Sequence, residues 1–114
     1  MIWERQFGPD AVNLGYALTG IGISYLEQDK PDNALAPLRR ALKIREDTDE
    51  VAPADRAETA FALARALWSS SRDRDTARRL AEQARDAYTH TAVSNALAEV
   101  ERWLRDHPSQ QKTL

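Results

Sequence analysis

Phe61, Arg65 and Trp68 follow one another at spacings of four and three, setting a guanidinium beside two aromatic rings if the segment is helical. Aromatics with arginine are the usual hot-spot chemistry of protein interfaces. A partly desolvated guanidinium there would pair strongly with a carboxylate or phosphate. A second basic cluster, Arg72, Arg74, Arg78, Arg79 and Arg85, could touch phosphate or an acidic partner. Asp73, Asp75, Glu82 and Asp86 interleave with it, so it reads as a solvated, salt-bridged face.

No pattern assembles a catalyst. His90 and His107 sit in a turn and at a helix end, without a partner at i+3 or i+4, and read as solvated or capping residues rather than metal ligands. No carboxylate pair occupies the apolar setting that general acid–base work requires. Ser69 to Ser71 lack the GxSxG context of a nucleophile and read as a turn. Gly15, Gly20 and Gly22 fall inside a helical pattern with no strand before it, so they form no phosphate loop. The reading therefore assigns no catalytic, cofactor-binding or metal-ligating residue, no cofactor and no enzymatic activity.

The 114 residues amount to one domain, and 42% hydrophobic with 30% charged residues is an ordinary globular balance. Sixteen basic and 18 acidic residues mingle along the same segments, which argues against a nucleic-acid footprint or a polybasic membrane patch. Without cysteine there is no disulfide or thiolate chemistry. No apolar run approaches the roughly 20 residues of a membrane span. "MIWERQF" lacks the apolar core of a signal peptide, so a cytoplasmic protein is expected.

Helical periodicity runs nearly throughout and predicts five helices, at about 10–28, 31–47, 53–70, 75–88 and 92–106. Leu14, Leu18, Ile21 and Tyr25 form the expected core stripe of the first. Ala34, Leu38, Ala41 and Leu42 serve the second, and Ala60, Leu63, Ala66 and Leu67 the third. Ala77, Leu80, Ala81, Ala84 and Ala87 serve the fourth; Val93, Ala96, Leu97, Val100, Trp103 and Leu104 serve the fifth, with Trp103 expected in the core. Asp29 is the expected N-cap of the second helix, whose Pro31 suits a first turn.

Laying the first two helices over the next two aligns Ile21-Gly22 with Leu63-Ala64 and Tyr25 with Leu67 at an offset of 42, and Ala34 and Ala41 with Ala77 and Ala84 at 43. A two-helix period of this size signals a helical solenoid. The series Leu18, Ile21, Gly22, Tyr25, Ala34, Leu38, Ala41 resembles the tetratricopeptide repeat (TPR) pattern, in the long, 42-residue form found in kinesin light chains. The resemblance implies an all-α, right-handed solenoid. Gly22 and Ala34 would let the helices of a repeat cross closely, and Tyr25 would fill the neighbouring gap.

On this reading residues 1–9 end a preceding repeat or linker, 10–50 and 51–90 are two TPR-like repeats, 91–107 is a capping helix and 108–114 a polar tail. The chain then resembles a piece of something longer, such as the C-terminal arm of a bacterial serine/threonine protein kinase. In the TPR family the first helix of each repeat lines a concave groove. The corresponding positions are Tyr16, Thr19, Ile23 and Glu27 in the first repeat and Glu58, Phe61, Arg65 and Ser69 in the second; the candidate partner-binding residues are these, with Trp68 in place of its neighbour Ser69. The family's clamp for chaperone tails needs lysine and asparagine where Thr19 and Ile23 stand, so that ligand is not implied. The implied function is non-catalytic: a scaffold binding a protein or peptide partner, as part of a larger bacterial signalling protein. The alternative is a structural or self-assembly segment of a longer array. Ile2, Trp3, Phe7, Leu14 and Leu18 predict weak self-association through the N-terminal end.

Overall fold

Pro9, Pro31 and Pro53 each stand at the first residue of a helix, where the missing N–H would have had no partner and the fixed φ suits the turn. The computed structural model describes residues 9–48, 51–91 and 94–108. Its helices are α1 (Pro9–Glu27), α2 (Pro31–Glu46), α3 (Pro53–Ser69), α4 (Arg74–Thr89) and α5 (Ser94–Asp106). No strand occurs among the described residues, and none of their helices is long and apolar enough to cross a membrane. The molecule is all-α, as expected. The roles given to residues 1–8, to Val93 and to residues 109–114 lie outside the described residues.

Each helix packs against the next, and α1 also meets α3. The first link is built like the third. Lys30 N–H bonds the Tyr25 carbonyl at 2.9 Å and Asp29 N–H that of Leu26 at 3.0 Å. Forty-two residues on, Arg72 N–H bonds Leu67 and Ser71 N–H bonds Trp68, both at 3.0 Å. This is the Schellman pattern, and its left-handed residues are Asp29 (φ 63°) and Ser71 (φ 58°). Asp29 therefore ends α1 instead of capping α2, whose N-cap is Lys30 with no side-chain hydrogen bond. Asp73, at the corresponding place before α4, does cap. Its carboxylate accepts from Thr76 N–H at 3.1 Å and from the Thr76 hydroxyl at 2.6 Å, the hydroxyl bond being the main cause of its lowered pKa.

The core follows the same spacing. Ala34, Leu38 and Ala41 are fully buried, and so, 43 residues on, are Ala77, Ala81 and Ala84. A Cβ added to Gly22 would collide with Leu38 Cγ, so this glycine exists to let α1 and α2 cross. In α5, Val100 and Leu104 are buried, while Ala96, Leu97 and Trp103 are partly so.

The stripe expected in α1 is corrected. Leu14 and Ile21 are 36% and 47% exposed, and Leu18 and Tyr25 only half-buried. The line facing α2 and α3 is Ala11, Gly15, Thr19 and Gly22, displaced by one residue and hence by about 100° around the helix. Small residues let neighbouring helices approach this line, and the bulkier aliphatic line is left without a covering helix among the described residues.

Candidate partner-binding groove

Alanine at positions 57, 60, 62, 64 and 66 lets α3 sit deep between its neighbours, so only a narrow part of its surface reaches solvent. Phe61 lies there almost wholly buried, edge-on to Trp103 of α5 with ring centroids 5.9 Å apart. One turn on, the Arg65 guanidinium carbon stands 5.2 Å from the centre of the Phe61 ring. Arg65 Nε is buried without a hydrogen-bond partner, and its guanidinium makes no ion pair among the described residues.

Arg65 and Phe61 line a groove of about 380 Å³ with Tyr16 and Ile23 of α1 on one side and Ala96 and Glu99 of α5 on the other. Its end nearest the start of α3 is acidic, with Asp55 and Glu58 joining Glu99 around Tyr88. Burial, reinforced by Glu58, Glu99 and Asp55 in that order, pushes the Tyr88 pKa up to about 12. Its phenol is thus a neutral hydrogen-bond donor at physiological pH.

Beneath Tyr16 lies a buried polar chain. Arg45, 2% exposed, donates from Nη1 to the Asp55 carbonyl at 2.7 Å and to Thr59 Oγ1 at 2.8 Å. Thr59 and Thr19 share a hydroxyl–hydroxyl bond of 2.8 Å, and Thr19 Oγ1 bonds the Gly15 carbonyl at 2.8 Å. With Arg45 donating, the bonds can run one way from guanidinium through both hydroxyls to Gly15, each hydroxyl giving its single proton onward. Glu58 supplies the nearest countercharge, 3.6 Å from Arg45 Nη1, and the exposed Tyr16 ring lies 5.4 Å from the guanidinium carbon. The arrangement holds a cation under the groove floor and fixes α1 against α3.

Of the eight residues expected from the sequence, Tyr16, Ile23, Glu58, Phe61 and Arg65 come together in the groove. Thr19 belongs to the buried chain, and Glu27 lies exposed near the end of α1, away from the lining. Trp68 turns toward α5, 5.7 Å from Trp103 and 5.2 Å from His107, beneath the Arg74 guanidinium. The sequence reading missed Arg45, Thr59, Tyr88 and the α5 bank. Arg45 and Tyr88 are themselves 43 residues apart, so the period that relates Ala34 to Ala77 relates these two as well.

The remaining polar candidates serve packing. His107 stacks on Trp103 at 4.2 Å, its Nδ1 2.7 Å from the Trp103 carbonyl. Arg78, expected on a solvated face, donates to the carbonyls of Leu104 and His107 and pins the end of α5. Among the described residues no three side chains are grouped to hold a metal ion. No protein-family model, curated protein or solved structure matches the chain.

Proposed function

We propose that this chain is a TPR-like solenoid segment whose work is non-catalytic protein–protein interaction, with a partner segment lying in the groove between α1, α3 and α5. The observation that carries the reading is Arg65: a cation over an aromatic ring, in a groove, with no carboxylate partner among the described residues. Burying a polar atom without a partner is costly, and an incoming carboxylate would supply one. The doubled Schellman turn and the burial pattern recurring at 42–43 residues support the repeat assignment. A cytoplasmic role within a bacterial signalling protein, such as a kinase's C-terminal arm, is the setting this reading favours.

Selection of a displayed random-peptide library on the wild-type protein tests the groove. Selected peptides should lose at least tenfold in affinity on Arg65→Ala and on Tyr16→Ala, the order of effect of hot-spot residues. Arg79→Ala is the control, because Arg79 is exposed whereas Arg78 holds α5. Binding indifferent to Arg65 and Tyr16 would remove the groove from the proposal.

A second reading has its own observation. Val12, Leu14, Tyr16 and Ile21 are the exposed large hydrophobics of the described residues, and all lie on α1. That favours a self-assembly or array segment docking through α1. Sedimentation of wild type and Ile21→Lys separates the two, since only assembly through α1 gives concentration-dependent mass that the substitution abolishes.

A further inference from the structure

The groove is charged at both ends, and unequally. Arg65 stands at one end; at the other, Glu58 has Arg45 3.6 Å away, while Asp55 and Glu99 make no ion pair among the described residues. Glu58 and Arg65 are seven residues apart on one helix, an axial separation of about 10 Å. Between them the lining is apolar, with Phe61 from α3 and Ile23 from α1.

From this layout, and resting on the groove reading above, we infer that the occupant is a partner segment carrying both a basic group and a carboxylate about 10 Å apart, with an apolar side chain between them. The carboxylate meets Arg65 and satisfies its Nε. The basic group lies at the level of Glu58, where Glu99 and, one turn further out, Asp55 supply the negative charge and the neutral Tyr88 hydroxyl adds a polar neighbour but no charge. The apolar side chain covers Phe61 and Ile23. A helical segment meets the span with its two charges seven residues apart. A wholly acidic segment would set like charges against Asp55 and Glu99, and a wholly basic one would leave Arg65 unpaired.

The test uses fluorescein-labelled, alanine-based 14-residue helical peptides with lysine and glutamate seven positions apart and leucine midway. Matched peptides replace the lysine, the glutamate or both by glutamine. Dissociation constants are measured by fluorescence anisotropy on wild type, Arg65→Gln and Glu99→Gln. The doubly charged peptide should bind wild type at least tenfold more tightly than either singly charged one. Arg65→Gln should erase the advantage given by the glutamate and leave that given by the lysine. Glu99→Gln should reduce the lysine's advantage and leave the glutamate's. If Arg65→Gln acts as described while lysine confers no advantage, the groove reading stands and this inference falls. If no peptide binds, or binding ignores both substitutions, both fall. Self-association of the free protein that Arg65→Gln weakens would make a second copy the occupant and overturn the inference.

Discussion

The α1–α2 and α3–α4 pairs share a frame and fill it differently. Ile21 and Leu63 hold corresponding positions, yet Ile21 is 47% exposed and Leu63 only 5%. Gly15 and Gly22 correspond to Ala57 and Ala64, Thr19 to Phe61, and Arg45 to Tyr88. In the first pair the closest approach is made by glycine and bridged by a buried arginine and hydroxyls. In the second it is made by alanine and filled by aromatic carbon. The shared frame comes from backbone geometry: the same turn and the same small residues at the crossing. The differences follow from neighbours, because α3 lies between α1–α2 and α4 while, among the described residues, α1 has company on one side only. Position in a repeat thus specifies where a side chain points, and the adjoining helices decide whether it is buried.

The largest expected effect tests that statement directly. Leu63→Ala should cost about 2–5 kcal/mol, the range for a buried leucine truncated in a packed core. Ile21→Ala, at the same register, should cost under about 0.5 kcal/mol, as exposed substitutions do. Chemical denaturation of both variants checks this. Equal losses would mean that α1 is covered as fully as α3.

Next come two glycines in one helix. Gly22→Ala would drive a Cβ into Leu38 and should destabilise by about 1–3 kcal/mol. Gly20 has nothing within 4 Å of where its Cβ would stand, so Gly20→Ala should stabilise by up to about 1 kcal/mol through helix propensity. Thermal melts moving in opposite directions would confirm that only one of these glycines serves the helix crossing.

Tyr88 gives the second pair a pH dependence of its own. The Tyr88 pKa is raised from 10.0 to about 12, so its neutral form is favoured in the folded state. That contribution is complete below pH 10 and is lost as pH rises through 12. Wild type should therefore lose stability between pH 10 and 12. Tyr88→Phe, which removes the ionisation, should lose less over the same interval. Parallel denaturant midpoints at pH 9 and 11.5 measure it, and an identical decline in both proteins would assign the loss elsewhere.

Local chemistry made much of this architecture legible in the sequence. Prolines at helix starts, apolar periodicity and the recurrence of small residues located all five helices within a few residues. Gly22 and Ala34 announced the crossing because no propensity argument explains a glycine there. What escaped was set by long-range contacts. The facing line of α1 is made of residues chosen for smallness, so the hydrophobic pattern pointed about 100° away from it. Nothing local marks Arg45, at the end of its helix, as buried; the Asp55 carbonyl and Thr59 from the next helix make it so. In the groove, α3 was visible as Phe61 and Arg65, while the α5 bank depends on how that helix docks, with Arg78 fixing its end.

The smallest expected effect asks whether the two pairs can be made more alike. Lys30 and Asp73 occupy the N-cap positions of α2 and α4, and only the aspartate accepts a hydrogen bond. Lysine there also sets a positive charge against the positive end of the helix dipole. Lys30→Asp places a carboxylate within reach of Asn33 N–H, which already bonds the residue 30 carbonyl at 3.1 Å. The gain should be about 0.5–1 kcal/mol, at the low end for a cap because Asn33 lacks the hydroxyl with which Thr76 gives Asp73 its second bond. Such a carboxylate has a folded pKa below its unfolded one. The gain is therefore present above the unfolded pKa and disappears as pH falls through the folded value. Lys30→Asp combined with Asn33→Thr should recover the remainder of the cap. Stability curves at pH 7 and pH 2.5 distinguish this from a change in net charge alone. A benefit surviving at pH 2.5, where the carboxyl is protonated, would arise from removing the lysine rather than from capping the helix.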